Sequence, residues 1–203
     1  MARRQIGQES FGFAQGERGR NGRLDAIDAA LDWRPIAGLL DGIHASAKGE
    51  PAWPPLALFK ALLLGLWHDL SDVSLAEALD DRASFRRFCG FASGEAVPER
   101  TAFVRFRKAL VDGKLDEALF RAVVRQLETR GLVVRTGTLV DATVIAQASK
   151  TDGEARWYRT AKRSYGLGRA RYVGLERVSL QAHLTFLAYN LTRAVGLLAA
   201  KPA

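Results

Sequence analysis

The 203 residues carry 30 Lys and Arg against 22 Asp and Glu, a formal charge of +8, with an isoelectric point near 10.1. At 48% hydrophobic and 26% charged residues the chain has the balance of a folded protein rather than a disordered one, and its basic surplus argues for a polyanionic partner, most often nucleic acid. Cys89 is the only cysteine, which excludes an intrachain disulfide, and His44, His68 and His183 are too scattered to form a zinc-ligand pattern with it.

Residues 1–23 read as a flexible basic arm, in which Gly7, Gly12, Gly16, Gly19 and Gly22 alternate with arginines and polar groups. The stretch has no apolar signal-peptide core. From Leu24 the spacing of Leu24, Ile27, Ala30 and Leu31 predicts a helix, with Trp33 before Pro35 as its stop. Pro51, Pro54 and Pro55 mark a loop into a second helix, Leu56 to His68, which is apolar on nearly every face and is expected at the centre of a bundle. That run contains Lys60 and is too short to span a bilayer. A cytoplasmic location without membrane partners is therefore expected.

Ser71 and Ser74 are candidate N-caps, the second with Glu77 in capping-box position. Short helices follow at Leu75 to Leu79 and Ser84 to Cys89, a pattern compatible with a helix-turn-helix. Cys89 is expected as a small buried residue near a helix end. After a loop from Gly90 to Pro98 come helices at Thr101 to Val111 and Leu115 to Arg130, the latter stopped by Gly131. In the first of these, Arg105 and Lys108 lie one turn apart while Phe103, Phe106 and Leu110 face a core.

The periodicity then changes. Leu132 to Arg135, a Thr136-Gly137 turn and Thr138 to Ile145 read as a β-hairpin. From Lys150 to Arg177 there are eight basic residues against three acidic ones, with Tyr158, Tyr165 and Tyr172 interleaved. Leu180 to Leu198 returns to helical spacing, with Leu184, Leu187, Leu191, Val195 and Leu198 along one face. One hairpin among about seven helices makes the fold class mainly α.

Thr138-Leu139-Val140-Asp141-Ala142-Thr143-Val144-Ile145 sets one carboxylate in an otherwise apolar strand. Burying it there is costly unless a metal or cation compensates, so Asp141 is either a metal-holding acid or a strand-end residue capping the next turn.

Several stretches together resemble the transposases of the insertion-sequence-five family. They are Leu70-Ser71-Asp72-Val73-Ser74-Leu75-Ala76-Glu77-Ala78-Leu79, Ser84-Phe85-Arg86-Arg87-Phe88-Cys89-Gly90, and Val97-Pro98-Glu99-Arg100-Thr101 with Arg105-Phe106-Arg107. Downstream, the Asp141 strand, Tyr165-Gly166-Leu167-Gly168-Arg169-Ala170-Arg171-Tyr172 and Leu187-Ala188-Tyr189-Asn190-Leu191 continue the resemblance in order. It implies a helical N-terminal transposase domain over 24–130. Over 131–203 it implies a truncated RNase H-like catalytic domain, reduced to the hairpin and the C-terminal helix. It also implies Mg²⁺ as cofactor, held by an Asp-Asp-Glu triad of which Asp141 is the first catalytic and metal-binding acid. Such a triad clusters because two Mg²⁺ about 3.5–4 Å apart must be held together.

The second acid of that triad has no counterpart here. Continuing the family's closing pattern back from Lys162-Arg163 puts Ala155 at the Glu position; Glu154 misses it by one residue, a turn of about 100° on a helix. Asp152 and Glu154 sit in a glycine-containing stretch without a strand to fix them. The expectation is an internally deleted transposase whose Mg²⁺ is not productively bound and which is inactive on its own. The alternative is a non-enzymatic DNA-binding remnant that competes with an intact transposase. Expected partners are double-stranded DNA at element terminal repeats and a second copy of the chain. The candidate DNA contacts are Arg86, Arg87, Arg100, Arg105, Arg107 and Lys108, and in the tail Arg163, Arg169 and Arg171.

Overall fold

The structure is a computed structural model that describes residues 3–7, 22–43, 51–132, 163, 165 and 174–200. The expected hairpin, apart from Leu132, and the acids Asp141, Asp152 and Glu154 lie outside the described residues. Within them the chain is mainly α: α1 (Gly22–Ala30), α2 (Trp33–Leu40), α3 (Pro55–Trp67), α4 (Asp72–Asp81), α5 (Ala83–Cys89), α6 (Arg100–Asp112), α7 (Asp116–Thr129) and α8 (Leu175–Ala200).

Helix α3 has the composition of a core helix and is one. Ala57 through Gly65 are all buried, and α2, α4, α5, α6 and α8 pack around it. Pro55 at its first position needs no N–H there and starts the helix in a compatible φ. The cation in this helix, Lys60, is accommodated locally: its Nζ lies 2.6 Å from Asp28 Oδ1, 4.3 Å from the Trp33 ring centre and 5.0 Å from that of Phe88. A buried ammonium requires such a partner, because desolvation otherwise favours its neutral form.

Pro35 does not stop a helix, as its position suggested; it lies in the first turn of α2, which begins at Trp33. The missing proline N–H is harmless there, since first-turn amides have no intrahelical acceptor. Asp32 caps the helix, its carboxylate accepting from Arg34 N at 3.0 Å. The Arg34 guanidinium and that amide hold the Asp32 carboxyl down at about 2. Likewise α4 is capped by Ser71, which accepts from Ser74 N at 3.1 Å, rather than by Ser74. Helix α7 ends as expected at Gly131, with φ of +65°. Gly131 N donates to Glu128 O and Leu132 N to Leu127 O, both at 2.8 Å, the paired bonds of a Schellman end with a buried apolar residue behind it.

The C-terminal helix is more deeply buried than its apolar stripe implied. Every residue from Leu180 to Ala188 is buried, including Gln181, His183 and Thr185, whereas Leu198 is exposed. The reason is position: α8 packs on α7, α1, α3 and α6 together. Leu187, Leu191 and Ala194 belong to the same core as Ile27, Leu63 and Val123. Trp67 Nε1 donates to Ala188 O at 2.9 Å, tying the end of α3 to α8. On the α7 side, Asp116 Oδ2 accepts from Ser179 Oγ at 3.2 Å and lies 2.9 Å from His183 Nδ1. No helix among the described residues is long and apolar enough to cross a membrane.

Because α8 completes this core, a chain ending at residue 132 should lose cooperative thermal unfolding and bind a hydrophobic dye. Circular dichroism melts of the two chains check this, and an unchanged melting temperature in the shorter one would contradict it.

Candidate nucleic-acid interface

Helix α6 divides its residues sharply between two faces. Phe103, Phe106 and Leu110 are at most 3% exposed, and they lock the helix onto α3, α4 and α8. Thr101, Val104, Arg105, Lys108 and Asp112 are exposed. At about 100° per residue these five fall within one arc of roughly 100°, a continuous outer stripe. Arg100 is exposed at the helix start, where the positive end of the helix dipole adds to its charge. Arg100, Arg105 and Lys108 have no hydrogen-bond or ion-pair partner among the described residues. A fixed helix whose outer stripe carries Thr101, Val104, Arg105 and Lys108, with Asp112 at its far end, has the chemistry over its first two turns to enter a major groove and contact base edges and phosphates.

The other arginines named from the sequence have different roles. Arg86 is 7% exposed. Its guanidinium donates to Ala92 O at 3.2 Å and Leu79 O at 3.3 Å, pairs with the Asp80 carboxylate, and donates also to Glu95 O. It thereby serves carbonyls at the end of α4 and in the turn after α5, and is not presented to a ligand. Arg87 is half-buried and pairs with Asp25 at 3.3 Å. Arg107 is largely covered and forms an ion pair with Asp72, joining α6 to α4. Arg163 is exposed; Arg169 and Arg171 lie outside the described residues, as does Asp141.

Helices α4 and α5, whose sequence pattern is compatible with a helix-turn-helix, depart from that geometry. Arg82 alone joins the two, closing α4 and opening α5, where the motif needs a turn of three or four residues. Helix α5 also buries Phe85, Arg86, Phe88 and Cys89 of its seven residues. The Cys89 thiol, as expected, is a packed core group, and burial pushes its pKa far above the ordinary range.

Beside the α6 stripe lies a groove of about 560 Å³, lined by Arg105, Thr101 and Glu99 from α6 and its cap, by Trp53 from the loop before α3, and by Arg3 and Arg4. Sequence reasoning did not single out Arg3, Arg4 or Trp53. Their signal was the Arg-Arg pair itself, hidden in an arm read as flexible, and only the chain path shows that the pair faces Arg105. Among the described residues no group of three or more His, Cys, Asp or Glu is placed to hold a metal ion, and Asp141 lies outside them.

Residues 13–109 match a family model described as a transposase domain, DUF772. The match supports a transposase family. It spans just under half of the chain and ends inside α6, taking in the stripe from Thr101 to Lys108 and the loop that carries Trp53. No solved structure matches the chain.

The two classes of arginine should separate in stability measurements. Arg86→Ala, which strips donors from buried carbonyls, should cost at least about 2 kcal/mol, while Arg105→Ala should change stability by no more than about 0.5 kcal/mol. Urea unfolding of both variants checks the contrast, and equal losses would remove it.

Proposed function

We propose that the chain acts in DNA transposition as a DNA-binding transposase of the insertion-sequence-five type, with α6 as its DNA-facing helix. The observation that carries this reading is the outer stripe of α6, whose Thr101, Val104, Arg105 and Lys108 are exposed within the segment similar to a transposase domain. The helix is held by a buried apolar face and by the Arg107–Asp72 ion pair, so its basic side chains are presented without cost to the core. Arg100 and Arg105 suit phosphate or guanine because a guanidinium donates in a planar fork. Lys108 supplies a point charge to the backbone.

In this reading the duplex is the principal partner and the protein contributes positioning. Asp141 is proposed as the first acid of an Asp-Asp-Glu site, with Mg²⁺ as the metal that such a site takes. The sequence provides neither the second Asp nor the Glu in register, so this copy binds DNA without cutting it. Such a chain competes with an intact transposase for the same ends.

Binding to duplex DNA, followed by fluorescence anisotropy, should weaken as salt rises, with a log–log slope of about −0.9 for each phosphate neutralised. Arg105→Ala and Lys108→Ala should each lower the affinity, and a salt-independent affinity would remove the basis for α6 as the DNA-facing helix. In a nicking assay with Mg²⁺ or Mn²⁺ on terminal-repeat DNA, the chain and its Asp141→Ala variant should both leave the substrate intact. Cleavage that disappears in the variant would show an active site rebuilt from other acids.

A further inference from the structure

Residues Arg3 to Gly7 are fastened at both ends. Arg3 forms a parallel bridge with Ala52, and Arg4 N donates to Ala52 O at 2.9 Å. The Arg3 guanidinium donates to Asp41 Oδ1 at 2.8 Å and to Asp41 O at 2.9 Å. Arg4 Nε donates to Pro51 O at 3.0 Å, and its guanidinium carbon lies 4.2 Å above the Trp53 ring centre. Trp53 is held in turn by the edge of Phe91, with ring centres 5.8 Å apart. At the other end Gly7 N donates to Glu95 Oε2 at 2.9 Å. Gly7 has φ of +81°, and a Cβ there would stand 3.2 Å from Gly90 O, so the close passage past the end of α5 requires glycine.

This fastening sets two long cationic side chains, each with much rotamer freedom to lose, on the groove that also holds Arg105. The lining has three guanidinium groups and the carboxylate of Glu99, with the Thr101 side chain among them, and Asp41 pairs with Arg3 at 2.8 Å. Guanidinium groups already ordered on a carboxylate or an aromatic face lose less freedom when they meet a phosphate. The ligand that matches a concave row of fixed guanidiniums beside a major-groove helix is the phosphodiester backbone of the same duplex.

We propose that Arg3–Gly7 is a second DNA-contact element, in which Arg3 and Arg4 hold backbone phosphates of the strand flanking the bases that α6 faces. The assignment rests on the reading of α6 as the DNA-facing helix and adds a backbone clamp from the other end of the chain. Because phosphates carry no sequence information, the clamp sets register and affinity on any duplex.

The test is the salt dependence of binding to a mixed-sequence duplex, for the whole chain, its Arg3→Gln/Arg4→Gln variant and its Arg3→Lys/Arg4→Lys variant. The Gln variant should show a shallower log–log slope, by about 0.9 for each phosphate it no longer neutralises. The Lys variant keeps the charge and should restore most of that slope. An unchanged slope in the Gln variant, while Arg105→Ala still weakens binding, would overturn the clamp and leave α6 in place. A Lys variant as shallow as the Gln variant would also overturn it, because the loss would then come from the fastening rather than from the charge. Absence of salt-dependent binding in the unaltered chain would remove α6 and the clamp together.

Discussion

Helix α3 has no polar face to offer water, and the rest of the fold answers that constraint. Its buried run from Ala57 to Gly65 must be covered on all sides, and each buried Leu or Phe there contributes about 1.5–3 kcal/mol when removed from water. Covering it takes helices from both ends of the chain: α2, α4, α5 and α6 from the sequence around it, and α8 from more than a hundred residues downstream. Lys60 is tolerated in this run only because Asp28 and the Trp33 and Phe88 rings meet its ammonium group.

The engagement of α8 bears on how this chain relates to a transposase. The helix that the family resemblance places with the catalytic domain shares one core with the helices of 24–130. Its polar residues are used at the seam, where His183 and Ser179 meet Asp116. Helix α6 is supported from both directions of the chain, since it packs on α8 as well as on α3 and α4.

Arginine does two kinds of work in the molecule, and residue type does not distinguish them. Arg86 closes orphan carbonyls at helix ends, a role that a planar five-donor group fills better than lysine. Arg107 and Arg87 hold helices together through Asp72 and Asp25. Arg105 and Lys108 carry their charges outward on a helix whose opposite face is committed to the core. Arg4 combines the two, since its guanidinium lies over the Trp53 ring and also lines the groove.

The sequence by itself determined most of the helices, because their signals are local: the nearly all-apolar run of α3, the Phe103–Phe106–Leu110 spacing of α6, and the Gly131 stop of α7. It misread Pro35, since a proline that ends one helix and one that begins the next look alike until Asp32 is seen capping α2. It also gave α8 a single buried stripe, because periodicity reports one apolar face and not how many neighbours surround a helix. Which arginines are spent inside the fold, and that Arg3, Arg4 and Trp53 join Arg105 around one groove, were decided only by the tertiary structure. The groove depends on residues some fifty to a hundred positions apart, and Arg107 and Arg87 find their acids 35 and 62 positions away; no local pattern encodes distances of that kind.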